Sequence, residues 1–141
     1  MSAEFTFGAG EERIDVRHLE FAPAEKQRLA GDLKSTISLT LGAFSGSLNA
    51  VFSIQELVVL QEQLVNTLSS GVGKVSFRNW AGDLDVEIES NGPGRVIISG
   101  KIKPHRIHQA TLNFRFDTEE SSLAKTAQEL DDVLHSFSIR A

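Results

Sequence analysis

Cysteine is missing from these 141 residues, so neither a disulfide framework nor a thiolate site is available. Positive charge is in the minority. Fourteen Lys and Arg against nineteen Asp and Glu give a formal net charge of −5, which argues against a nucleic-acid or anionic-membrane binder and fits a basic protein partner. No apolar run approaches membrane-spanning length, and Met1-Ser2-Ala3-Glu4 lacks the basic and apolar regions of a signal peptide. A soluble cytoplasmic protein is expected. Nucleophile elbow, phosphate-binding glycine loop and recognised metal motif are all missing, so no catalytic residue, cofactor or metal ligand is expected and the chain reads as a non-enzyme. His105 and His108 have a spacing that can hold zinc only with a third ligand. The cations around them, Lys101, Lys103 and Arg106, would repel a metal, and a solvated basic loop is the expected reading. His135, one helical turn after Asp131, reads as an ordinary surface contact. At 40% hydrophobic and 23% charged residues, the composition is that of an ordinary globular protein, expected to form one domain over residues 1–141.

What is present is patterned. From Gly73 to Phe116, four alternating runs separated by turn signals predict an antiparallel meander. In the second run Leu84, Val86 and Ile88 alternate with Asp83, Asp85, Glu87 and Glu89, which predicts a buried apolar face and four exposed carboxylates. Closing the first hairpin around Asn79-Trp80-Ala81-Gly82 pairs Phe77 with Leu84, Arg78 with Asp83 and Lys74 with Glu87. Closing the next around Asn91-Gly92-Pro93 pairs Ile88 with Val96, Val86 with Ile98, Glu89 with Arg95 and Asp83 with Lys101. Ala110, Leu112, Phe114 and Phe116 face inward in the last run.

Upstream, Phe5 and Phe7, then Ile14 and Val16, predict two strands, and a parity break near Arg17 and His18 predicts a bulge. Pro23 to Asp32 reads as a solvated loop or short helical turn. Ile37, Leu39 and Leu41 return as Leu48, Ala50 and Phe52 after a turn containing Gly42, Phe44 and Gly46. Ser53 and Glu56 have capping-box spacing for a helix whose apolar face holds Ile54, Leu57, Val58, Leu64, Val65 and Leu68, ending at Ser69-Ser70-Gly71. A second helix, capped by Asp117 or Thr118, carries Leu123, Ala127, Leu130, Leu134 and Phe137. Leu48-Asn49-Ala50-Val51-Phe52 and Leu112-Asn113-Phe114-Arg115-Phe116 form a weak repeat, each followed by a helix, so each half of the chain reads as strands and then one helix.

Among these elements the candidate interface residues are Trp80, the only tryptophan, in a hairpin loop, with Asp83 and Asp85 beside it as complementary charges; a ring folded back onto the sheet edge is the favoured alternative for Trp80. Lys74, Arg78, Arg95 and Lys101 are the expected cross-strand partners of the acidic run and would largely balance it. Gln61 falls on the apolar face of the first helix, where it is either a satisfied core amide or the lining of a small pocket.

The succession Phe44-Ser45-Gly46, a helix with Leu57 and Leu64, a glycine-turn meander, then Leu112-Asn113-Phe114-Arg115-Phe116-Asp117-Thr118 and a C-terminal amphipathic helix resembles small bacterial WapI-type immunity proteins. That resemblance implies binding and neutralising a toxin domain, often a nuclease, and assigns no residue a role. The expectation is therefore an α+β domain, a largely antiparallel sheet with two amphipathic helices on one face, acting as a non-catalytic protein-binding module. Two alternatives stay open: a small-ligand protein or enzyme with a pocket near Gln61, and a homo-oligomer joined through sheet edges.

Overall fold

The computed structural model describes residues 3–23, 31–92, 94–103 and 111–137. Eight antiparallel strands and two helices follow one another as β1 (Ala3–Ala9), β2 (Glu12–Phe21), β3 (Asp32–Leu41), β4 (Phe44–Ser53), α1 (Ile54–Ser70), β5 (Val72–Arg78), β6 (Leu84–Asn91), β7 (Arg95–Ile102), β8 (Leu112–Glu119) and α2 (Glu120–Phe137). This is the expected α+β class, but the strands divide into two four-stranded meanders, β1-β2-β3-β4 and β5-β6-β7-β8. Each half is thus four strands and then a helix, and the two short resembling sequences are the last strand of each half. The histidine pair His105 and His108, Ala110, and most of the loop from Pro23 to Asp32 lie outside the described residues.

Local chemistry sets the element ends. Ser53 Oγ accepts from Glu56 N at 3.1 Å while Glu56 Oε1 accepts from Ser53 N at 2.8 Å, the reciprocal box that starts α1. Gly71, left-handed at φ 79°, stops it by donating its N–H to Thr67 O. The predicted bulge is present: the β2–β3 register shifts between Arg17 and Glu20, and His18 has φ 57°. At the other helix the expected cap at Asp117 or Thr118 is corrected, because β8 runs on through Glu119 and α2 begins at Glu120.

The helices exchange partners. α1 follows β4 yet packs against β5, α2 follows β8 yet packs against β1, and the helices pack on each other. One continuous core results, with Phe5, Phe7, Ile14 and Phe52 from the first sheet, Leu84, Val86, Ile88 and Ile98 from the second, and Leu57, Leu60, Leu64, Leu123 and Leu130 from the helices. The buried face of α1 is rotated from the predicted one: Leu60 and Thr67 are inside, whereas Val65 is 42% exposed. Leu112, expected inward, also lies at the surface.

Two seams join the sheets. At one, the rings of Phe52 (β4) and Phe77 (β5) stack with centroids 5.9 Å apart. At the other, β8 approaches β1 so closely that a Cβ on Gly8 would lie 2.7 Å from Phe116 Cε1 and 2.4 Å from Glu12 O, and Gly8 itself has φ 86°. Only glycine fits both the space and the backbone angle.

α2 also closes the outer edge of β1. Thr6 N donates to Glu129 Oε1 at 2.9 Å, and Thr126 Oγ1 donates to Thr6 O. Thr6 Oγ1 donates to the buried Asp15 carboxylate at 2.8 Å, whose other oxygen meets Arg13 Nε at 2.9 Å and Arg17 Nη2 at 3.5 Å. Burial pushes the Glu129 carboxyl above its ordinary value, against the lowering effects of the Thr6 bond and Lys125.

Candidate functional site

The hairpins of the second sheet keep the predicted faces but not the predicted partners. Phe77 lies opposite Val86, Val75 opposite Ile88, Arg78 opposite Asp85 and Lys74 opposite Glu89; across the next hairpin Ile88 meets Ile98 and Asp85 meets Lys101. Each register is displaced by two residues, which preserves the side-chain face because the strand period is two. Leu84, Val86 and Ile88 are fully buried, and Glu87 and Glu89 are exposed, as expected. Asp83 is the exception. It was expected at the surface and is only 4% exposed.

The displacement of the first hairpin and the exception share one cause, Asn79, whose role was not legible as more than that of a turn residue. Asn79 is fully buried at the end of β5. Its Nδ2 donates to Val51 O at 3.1 Å and to Asp83 Oδ2 at 3.2 Å, and its Oδ1 accepts from Leu84 N at 3.0 Å. Asn79 O accepts from Gly82 N at 2.9 Å, and Asp83 O accepts from Lys103 N at 2.9 Å. Asn79 and Asp83 therefore bracket a turn that is tied to β4 on one side and to the end of β7 on the other. The guanidinium of Arg78 covers it, its Nη2 lying 3.4 Å from where a Cβ on Gly82 would stand. The one available signal was an Asx residue at each end of a tryptophan- and glycine-containing turn.

Trp80 is carried on this turn, 49% exposed. It helps line a depression of about 520 Å³, together with Ala81 and Asp83 of the same turn, Lys34, Ser35, Thr36, Asn49, Ala50 and Val51 of β3 and β4, and His18 and Glu20 at the β2 bulge. The depression thus bridges the two halves of the chain. Its charges are mixed, with Lys34 Nζ 3.3 Å from Glu20 Oε2. Asp85 is half-buried on the neighbouring strand. Gln61 is half-buried on α1 and does not line this depression.

Electrostatics redraws the acidic surface. On the outer face of the second sheet Asp85, Glu87, Glu89, Asp117 and Glu119 share the surface with Lys74, Arg78, Arg95, Lys101 and Arg115, five of each sign. Lys74 Nζ sits 3.8 Å from Glu87 Oε1 and Arg95 Nη2 2.6 Å from Asp117 Oδ2. Exposed pairs of this kind stabilise little, but they cancel the local field. The surplus lies on the helices: Glu56, Glu62, Glu120, Glu129, Asp131 and Asp132 face a single cation, Lys125, and six against one accounts for the whole net charge of −5.

Among the described residues no group of three or more His, Cys, Asp or Glu is placed to hold a metal ion. His135 Nδ1 is 3.6 Å from Asp131 Oδ2 on the exposed side of α2, in the predicted surface contact. Among the described residues no helix is long and apolar enough to cross a membrane. No curated protein matches the chain. A family described as the Immunity protein WapI-like family matches residues 7–138, nearly the whole of both strand-and-helix halves, and the chain belongs to that family.

Proposed function

We propose that this protein is a non-catalytic binding module that neutralises a bacterial toxin domain in the cytoplasm by covering it, with Trp80 as the aromatic anchor of the contact. The observation that carries this reading is the bracketed turn. A half-exposed tryptophan on a turn held by a buried asparagine presents a large apolar area whose backbone is already ordered, which reduces the entropy lost on association. In this reading Asp85 supplies a complementary charge, and Asp83, bonded to Asn79, positions the turn. The family supports the toxin-neutralising role.

Charge supports a basic partner in a revised way. Because the acidic strand is balanced by its neighbours, steering of a cationic toxin comes from the α1 and α2 surface. The test begins with co-expression of candidate toxin domains, in which restored growth identifies the partner. Stopped-flow kinetics with that partner then separate the roles: Trp80→Ala raises the dissociation rate at least about tenfold, whereas Glu62→Gln with Asp132→Asn lowers the association rate and flattens its salt dependence. A Trp80→Ala chain that dissociates as slowly as the parent removes the anchor and leaves neutralisation standing. Failure to protect against any toxin domain removes the function.

A second reading, a small-ligand site, draws on the volume of the same depression and its mixed apolar and polar lining. A stoichiometric ligand carried through purification would favour it.

A further inference from the structure

Four strands lie at sheet edges, and three of them are protected in ways that soluble sheets commonly use. α2 occupies the edge of β1 through Thr6, β5 packs against α1 and carries Lys74 and Arg78, and β8 carries Arg115, Asp117 and Glu119. β4 differs. The predicted wide turn is only Gly42-Ala43, so Phe44 already pairs with Leu41, and Phe44 to Ser47 extend the strand as an exposed edge with no charged residue and no proline before α1. Phe44 is 77% exposed.

We propose that β4 pairs antiparallel with β4 of a second copy of this chain, about a two-fold axis passing through Gly46. The inference stands apart from toxin binding and rests on three features of the edge. The first is length: the free edge begins after the turn at Gly42-Ala43 and ends before Val51, whose carbonyl is taken by Asn79, so the stretch from Phe44 to Leu48 lies wholly within it. The second is sequence symmetry. Phe44-Ser45-Gly46-Ser47-Leu48 reads apolar, Ser, Gly, Ser, apolar in both directions, so the axis sets Phe44 against Leu48 of the partner and Ser45 against Ser47, with no like charges opposed. The third is the direction of the backbone. Val51 O points away from β3, and the β3–β4 ladder has no register shift, so by alternation the outward N–H and C=O groups are those of Asn49, Ser47 and Ser45. Ser45 and Ser47 then exchange hydrogen bonds across the axis, and Gly46 meets its own copy in the closer, non-hydrogen-bonded pair. The product is a continuous sheet with four strands from each copy. So short a junction forms a concentration-dependent dimer.

Gly46 also supplies the test. Its φ is not in the left-handed region, and a Cβ there meets nothing within 4 Å, so substitution leaves the folded chain unperturbed. Sedimentation equilibrium of the full-length chain is expected to show reversible dimerisation from micromolar to millimolar concentration. Gly46→Lys and Gly46→Glu each place like charges on the axis and raise the dimer dissociation constant at least about tenfold, while an equimolar mixture of the two restores dimerisation because opposite charges now meet. Circular dichroism melts matching the parent confirm that both variants are folded. A parent chain that stays monomeric at millimolar concentration, a Gly46→Lys chain that dimerises as well as the parent, or a mixture that fails to recover overturns the proposal. A monomeric parent whose toxin binding is lost in Gly46→Lys assigns the edge to a strand of the toxin instead.

Discussion

Replacing Asn79 with alanine should loosen Trp80 and destabilise the whole chain together. The side chain is fully buried and serves three partners, the Val51 carbonyl, the Asp83 carboxylate and the Leu84 amide. A bond to a charged acceptor contributes roughly 1.5–3 kcal/mol and each neutral bond roughly 0.5–1.5. Removal is therefore expected to cost about 3–5 kcal/mol, a large share of the roughly 5–15 kcal/mol that holds a domain folded. Urea unfolding followed by circular dichroism measures the loss, and because Trp80 is the only tryptophan its fluorescence anisotropy reads the turn in native buffer without labelling. Asn79→Asp is the sharper variant. It sets a second carboxylate about where Nδ2 stands, 3.2 Å from Asp83 Oδ2, so the pair holds a proton more tightly when folded than when unfolded. Relative to the parent, the variant is then least impaired at low pH and loses stability as pH rises through the raised apparent pKa of the pair. An alanine variant that loses less than about 1 kcal/mol and leaves the anisotropy unchanged would refute the bracketed-turn argument.

Two further outcomes test the packing. Val86→Asp places an unpaired charge in the shared core and is expected to lower stability by about 3 kcal/mol or more in a denaturant melt; an unchanged midpoint would contradict the burial of β6. Glu129→Gln keeps an acceptor for Thr6 N while removing the ionisable group. Since burial raises the Glu129 pKa above the ordinary carboxyl value, the parent loses stability relative to this variant as pH rises through the raised value, and melts across that range show the difference closing on the acid side.

The faces of β6 were legible because alternation is local: Leu84, Val86 and Ile88 point inward whichever hairpin closure is chosen. Register was not, because it depends on how many residues the turn consumes, and here Asn79 uses its amide to bond Leu84 N, extending the turn through Asp83. Burial of Asp83 was hidden for the same reason, since its turn is fixed to Val51, 28 residues before Asn79. The capping box at Ser53 and the stop at Gly71 could be read directly, as all partners lie within four residues. Division into two sheets has no local signature; each meander looks alike, and only the packing of α1 on β5 and α2 on β1 separates them. Trp80 was legible as a residue of a hairpin turn, but the favoured expectation was that its ring folds back onto the sheet edge, and it is 49% exposed. Its surroundings were not legible, because the depression draws on His18, Lys34 and Asn49 from the other half.

The swap of helices between halves also has a meaning for synthesis. Glu129 and Thr126 are made 123 and 120 residues after Thr6, the strand residue they secure. At cellular translation rates of about 5–20 residues per second, that interval lasts roughly 6–25 seconds. Throughout it the first meander can form on the ribosome, but β1 has an open edge and its core face lacks the helix that covers it. The nascent chain therefore carries an uncovered β1 edge until α2 has left the exit tunnel, and only then can Thr126 and Glu129 close on Thr6.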